Sequence, residues 1–139
     1  MLTWRKSKIG NLTWTVKMYE RLAALALREF PDMVTHYSII GRRATAPLKL
    51  RLFVRDSTFV DIWLSPDLQR CAYHWEQRAV RGLLHRHDNA PDHPEIATFP
   101  KHFHNGSEDA IEPSYSAANP ADALREFLAF VRLRLQQDN

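Results

Sequence analysis

Leu48-Lys49-Leu50-Arg51-Leu52-Phe53-Val54 alternates apolar and basic residues as far as Phe53, and Thr58-Phe59-Val60-Asp61-Ile62-Trp63-Leu64 follows after a turn at Ser57. Side chains two apart on a strand share a face, so this alternation predicts two consecutive strands. Ser65-Pro66-Asp67 is the next turn signal, because proline and aspartate both favour tight reversals. Arg70 to Gln77 and Leu83 to His87 are further strand-like runs, and Val34 to Arg42 is a β-rich run upstream. Gly41 to Pro47 reads as a polar turn or ragged connection. Parallel neighbours need a crossover of a dozen or more residues, and these connections are shorter, so residues 34–87 are expected to form an antiparallel meander.

Both flanks carry a helical period. Leu12, Val16, Tyr19, Leu22, Ala23, Ala26, Leu27 and Phe30 recur at helical spacing. They predict a helix from about Asn11, with residues 12–30 as its body, capped by Asn11 or Thr13 and stopped by Pro31. Leu124, Phe127, Leu128, Val131 and Leu135 form a second stripe over residues 120–137. Asn119 is a good cap there, and Pro120 sits at the favoured first position. Arg125, Arg132 and Arg134 lie off that stripe and read as a solvated surface. The expected fold is α+β: an antiparallel sheet of about five or six strands with the N- and C-terminal helices packed on one face. Residues 1–139 are expected to form a single domain, with residues 88–119 as a His/Pro-rich loop that adds at most a short edge strand near Ile111 to Tyr115.

Composition narrows the class. Charged residues make up 25% and the formal charge is +3, an ordinary balance compatible with nucleic acid without singling it out. No apolar run approaches the roughly 20 residues of a membrane helix. Met1-Leu2-Thr3-Trp4-Arg5-Lys6 leads into no long apolar stretch, so no secretory signal is expected. Cys71 is the one cysteine, which fits a reducing, cytoplasmic setting.

Six of the seven histidines fall between Tyr73 and His104: His74, His85, His87, His93, His102 and His104. The same stretch holds Asp88-Asn89-Ala90-Pro91, His93-Pro94-Glu95 and Phe99-Pro100. Imidazole can donate, accept, carry charge or bind metal near neutral pH, and prolines this closely spaced do not build helix or strand, so the region reads as a shaped polar loop. His85 and His87 share a strand face, with Arg86 and Asp88 on the other, and His102 and His104 pair likewise if their segment is extended. Three readings follow. Two His-x-His pairs can ligate a metal, although the loop has no cysteine and no His-Glu-x-x-His, so no metal or other cofactor is expected. A histidine pair beside a cation can cleave RNA by general acid–base catalysis. Asx-turns and backbone-bonded histidines can make the loop purely structural.

The order and spacing of Tyr73-His74-Trp75, Arg86-x-Asp88-Asn89-Ala90-Pro91-x-His93-Pro94-Glu95, Thr98-Phe99-Pro100-x-His102-x-His104 and Pro113-Ser114 resemble the TumE family, toxin components of type II toxin–antitoxin systems. The resemblance covers most of the chain. It differs at His87, where the family often has Trp, at Asp92, where it often has His, and within Lys101-His102-Phe103-His104, where it often has His-His-Lys-His. It implies a toxin acting inside the cell with a small DNA-binding antitoxin as partner, and it carries over His93, His102 and His104. Combined with the acid–base reading, the expected function is a toxin that is a ribonuclease. His102, His104, His93, Asp88 and Arg86 are the expected catalytic set. Tyr73, Trp75, Asn89, Lys101 and His87 are expected to bind substrate. The alternatives are a non-catalytic protein that recognises a phosphate or a partner protein, and a metal-dependent hydrolase.

Overall fold

The computed structural model describes residues 2–41 and 48–137, with side chains from residue 13 onward. In chain order the elements are α1 (Leu2–Glu29), β1 (Val34–Ile40), β2 (Lys49–Val54), β3 (Phe59–Leu64), β4 (Cys71–Gln77), α2 (Arg78–Arg81), β5 (Leu83–Asp88), β6 (His102–Gly106), β7 (Ile111–Pro113) and α3 (Pro120–Gln137). The seven strands form one antiparallel sheet in sequence order. The α+β class and the two helices on one face are as the sequence predicts. Residues 42–47 of the expected polar connection lie outside the described residues.

The sheet has one strand more than expected. The addition is β6, read as loop because His102-Phe103-His104-Asn105-Gly106 offers a single apolar residue. Its alternation is real, but the outward partners of Phe103 are histidines, and a polarity pattern does not register them as a buried face. The 88–119 region is therefore a loop over residues 89–101 followed by a hairpin, β6 and β7. The start of α1 also differs: the helix runs from Leu2, so neither Asn11 nor Thr13 caps it.

The alternation of β2 and β3 puts Leu50, Leu52, Val60 and Ile62 in the core with Trp75. Leu22 and Ala26 of α1 and Leu124 and Leu128 of α3 pack against the same cluster. The Asn119 side chain accepts bonds from the Ala121 and Asp122 N–H groups, capping α3. Arg125 and Arg132 lie off the apolar stripe at the surface, where they pair with Glu29 and Asp32 and join α3 to the end of α1.

One helix residue completes the sheet. Leu48 and Leu64 stand where the next β2–β3 rung would fall beyond Leu50 and Ile62. The fully buried Tyr19 hydroxyl bridges them, donating to the Leu48 carbonyl at 2.7 Å and accepting from the Leu64 N–H at 3.0 Å. Burial pushes the Tyr19 pKa up to about 12, against the backbone bond at Leu64. Tyr19→Phe leaves a buried N–H unpaired, so urea unfolding should show a loss of about 1–3 kcal/mol at an unchanged m-value. An unchanged midpoint would show that the bridge contributes nothing.

Candidate active site

The two faces of the sheet differ in kind. The helix face is the core. On the open face the register sets Arg51, Asp61, His74, Arg86 and His104 directly opposite one another across five adjacent strands. Asp88 faces His102 in the same way. Strand alternation alone therefore gathers Arg86 and Asp88 of β5 with His102 and His104 of β6.

Asp88 is the hub. Its Oδ1 lies 3.0 Å from His102 Nε2 and accepts the Ala90 N–H. Its Oδ2 accepts from Arg86 Nε at 2.9 Å and lies 3.5 Å from His104 Nε2. The other nitrogen of each histidine is engaged elsewhere. His102 Nδ1 donates to the Pro100 carbonyl at 3.0 Å, and His104 Nδ1 donates to the Glu108 carbonyl at 2.9 Å. Those bonds fix the tautomer and aim both Nε2 lone pairs inward. A neutral imidazole of that tautomer has no proton to offer Asp88, so these contacts hold together through a shared proton or another positive charge.

His93 comes from the loop and closes the cluster, its ring centroid 4.7 Å from that of His102 and 6.1 Å from that of His104. His102 and His104 are only 1% and 4% exposed, whereas the His93 side chain is 29% exposed. His93 is thus the most accessible imidazole of the three. Its Nδ1 lies 3.5 Å from Glu95 Oε1.

Electrostatics separates these groups. Burial lowers the His104 pKa, the Glu108 carbonyl bond works against this, and Arg86 adds to the lowering. Burial opposes the Arg86 charge, but the Glu108 and Asp88 carboxylates outweigh it and the pKa rises. The Arg86 bond in turn holds the Glu108 carboxyl below the usual range. His74 has its pKa lowered by burial against the pull of Glu76, and receives Arg86 Nη1 on its Nδ1 at 3.2 Å. Arg86 is therefore a fastened strut and not a free cation.

Of the residues picked from the sequence, the structure brings together Arg86, Asp88, His93, His102 and His104. It places the expected substrate-binding residues elsewhere. Tyr73 and Trp75 are 3% and 1% exposed in the helix-face core, so neither can stack on a base. Trp75 instead donates its indole N–H to Thr58. His87 is on that face too, stacked on Phe103 and bonded to Ser114 Oγ. Lys101 is bonded to the Ser116 carbonyl. Asn89 pins the loop to the β3–β4 turn, accepting the Cys71 N–H and donating to the Gln69 carbonyl. Alternation explains Tyr73, Trp75 and His87: they are odd-numbered residues of β4 and β5, which face the helices, and the centre faces away. Glu108 and His74 were missed. His74 was legible from its parity with Arg86 once the register was known, whereas nothing in Ser107-Glu108-Asp109 marks Glu108.

Beside the centre a groove of about 330 Å³ continues along the open face, lined by Lys49, Arg51, Trp63, His74 and Arg86 among others. No described helix is long and apolar enough to cross a membrane. Against known proteins, the family model described as Toxin TumE matches residues 22–135. No curated protein and no solved structure matches the chain.

Proposed function

The chain belongs to the TumE toxin family, and on that premise we propose that it is a ribonuclease toxin whose open-face histidine centre carries the chemistry. A toxin role implies an antitoxin partner, which we propose to be a small DNA-binding protein in the same cytoplasm. The observation that carries the reading is a cluster of three imidazoles, two of them on the Asp88 carboxylate and the third, His93, at the mouth.

The roles follow from environment. Burial keeps His104 neutral, which suits a base that takes the ribose 2′-OH proton. The 2′ oxygen then attacks phosphorus, and the bond to the 5′ oxygen breaks. His93, the accessible imidazole of the cluster, returns a proton to that leaving oxygen. The products are a 2′,3′-cyclic phosphate and a 5′-hydroxyl. Asp88 stabilises the charge His104 gains, and Arg86 and the Ala90 N–H hold Asp88 in place. The imidazolium itself meets the phosphate charge, because Arg86 is already paired. The adjoining groove, with Trp63 and Lys49, offers a path for single-stranded RNA.

Expression in a bacterial host tests this. Wild-type protein should arrest growth with loss of intact cellular RNA. His93→Gln should relieve both while the protein still co-purifies with its antitoxin. Arrest that persists in that variant with intact RNA would favour a toxin acting by binding alone.

A further inference from the structure

We propose that His93, His102 and His104, with Asp88 beside them, form a site for one divalent transition-metal ion of the zinc type, and that filling it silences the toxin's proton chemistry. One ligand nitrogen from each of the three histidines lies within 4.8 Å of the others. Tetrahedral bonds of about 2.0–2.1 Å place ligand nitrogens roughly 3.4 Å apart, so a modest closure of the cluster brings them into range. The preparation of the ligands is the stronger argument. His102 and His104 each donate Nδ1–H to a backbone carbonyl. That outer bond is the one that orients and enriches an imidazole ligand at metal centres. It leaves two Nε2 lone pairs and a carboxylate converging without a proton of their own, a deficit a cation fills. Three imidazoles and a carboxylate suit zinc, nickel, cobalt or copper rather than magnesium or calcium, which prefer all-oxygen shells.

The silencing rests on the acid–base reading above. A lone pair held by a cation cannot accept a proton, and a ligated His93 has none to return. The metal-free form is then the active one.

The test uses the full chain without a histidine tag, stripped with chelator and titrated with zinc chloride or magnesium chloride. Calorimetry should show one zinc per chain and no magnesium. His93→Gln should weaken zinc binding by roughly 100-fold or more, at least the upper end of what lost outer-shell partners cost. His104→Asn should do the same, since the amide can replace the Nδ1 donor but offers no lone pair in place of Nε2. Because His93 is the exposed member, its variant keeps the test valid if the buried one fails to fold. RNA cleavage should proceed in chelator and fall as zinc reaches one equivalent. No stoichiometric zinc binding, or binding indifferent to His93→Gln, overturns the site; cleavage in chelator would then still support the ribonuclease reading. Stoichiometric zinc binding without cleavage under any condition supports the site and overturns the ribonuclease reading and, with it, the silencing. Cleavage only with zinc bound supports the site and overturns the silencing.

Discussion

Acidification from pH 7 to pH 4 should remove several kcal/mol of folding stability, and two histidines outside the active centre should cause most of it. His85 and His87 lie on the helix face of β5, packed against Trp75, Phe103, Phe127 and Phe130. Burial lowers both pKa values to about 4, with Arg134 and Arg81 adding to the effect at His85 and Lys101 adding at His87, where Asp88 opposes it. Both rings are therefore held neutral in the folded chain, and His85 Nδ1 accepts the Gln77 amide. The unfolded chain binds protons below about pH 6.5 and the folded chain only near 4. The stabilisation is complete above 6.5 and is lost as pH falls from 6.5 towards 4, by up to about 3 kcal/mol per histidine. Glu76, held at about 2 chiefly by its Arg78 bond, acts in a separate, lower window. Urea unfolding at pH 7 and pH 4.5 measures the loss. A His85→Asn/His87→Asn double variant should be weaker at pH 7 and much flatter with pH. An unchanged pH slope would mean that these rings protonate in place.

His104→Asn should lower RNA cleavage by about 10²–10⁴-fold, the range expected for loss of a general base. Asparagine is chosen because its amide can still donate to the Glu108 carbonyl, which His104 Nδ1 now satisfies, while nothing replaces Nε2 facing Asp88. Alanine would confuse the result: His104 is a buried strand residue, and truncation there leaves an unpaired carbonyl as well as a hole. Ordinary unfolding curves with cleavage lost would assign the defect to chemistry. Cleavage within a few-fold of wild type would remove His104 from the base role.

The sequence is most legible where a polarity pattern and a burial pattern coincide. Leu50, Leu52, Val60 and Ile62 declare the core face of β2 and β3, and Asn119-Pro120 declares the start of α3. Legibility fails at β6, whose alternating residues are histidine and phenylalanine, because the histidine side is covered by a loop and fixed through backbone carbonyls. The centre itself was half legible. Asp88, His102 and His104 share a parity, but which face that parity meets depends on β4–β5 pairing, and Tyr73, Trp75 and His87 were drawn in by proximity in the chain although they point the other way. Glu108 depends on a turn conformation that Ser107-Glu108-Asp109 does not announce. The extension of α1 back to Leu2 lacks the apolar stripe that betrays its later turns.

The central claim is that this open-face centre cleaves RNA by proton transfer between histidines. Its most direct test is cleavage of end-labelled RNA by the purified chain, free of antitoxin and in chelator, across pH 5–9. The account predicts cleavage leaving 2′,3′-cyclic phosphate ends, with a bell-shaped dependence on pH because one imidazole must be neutral while another is protonated. No cleavage at any pH, with or without divalent metal, would contradict it.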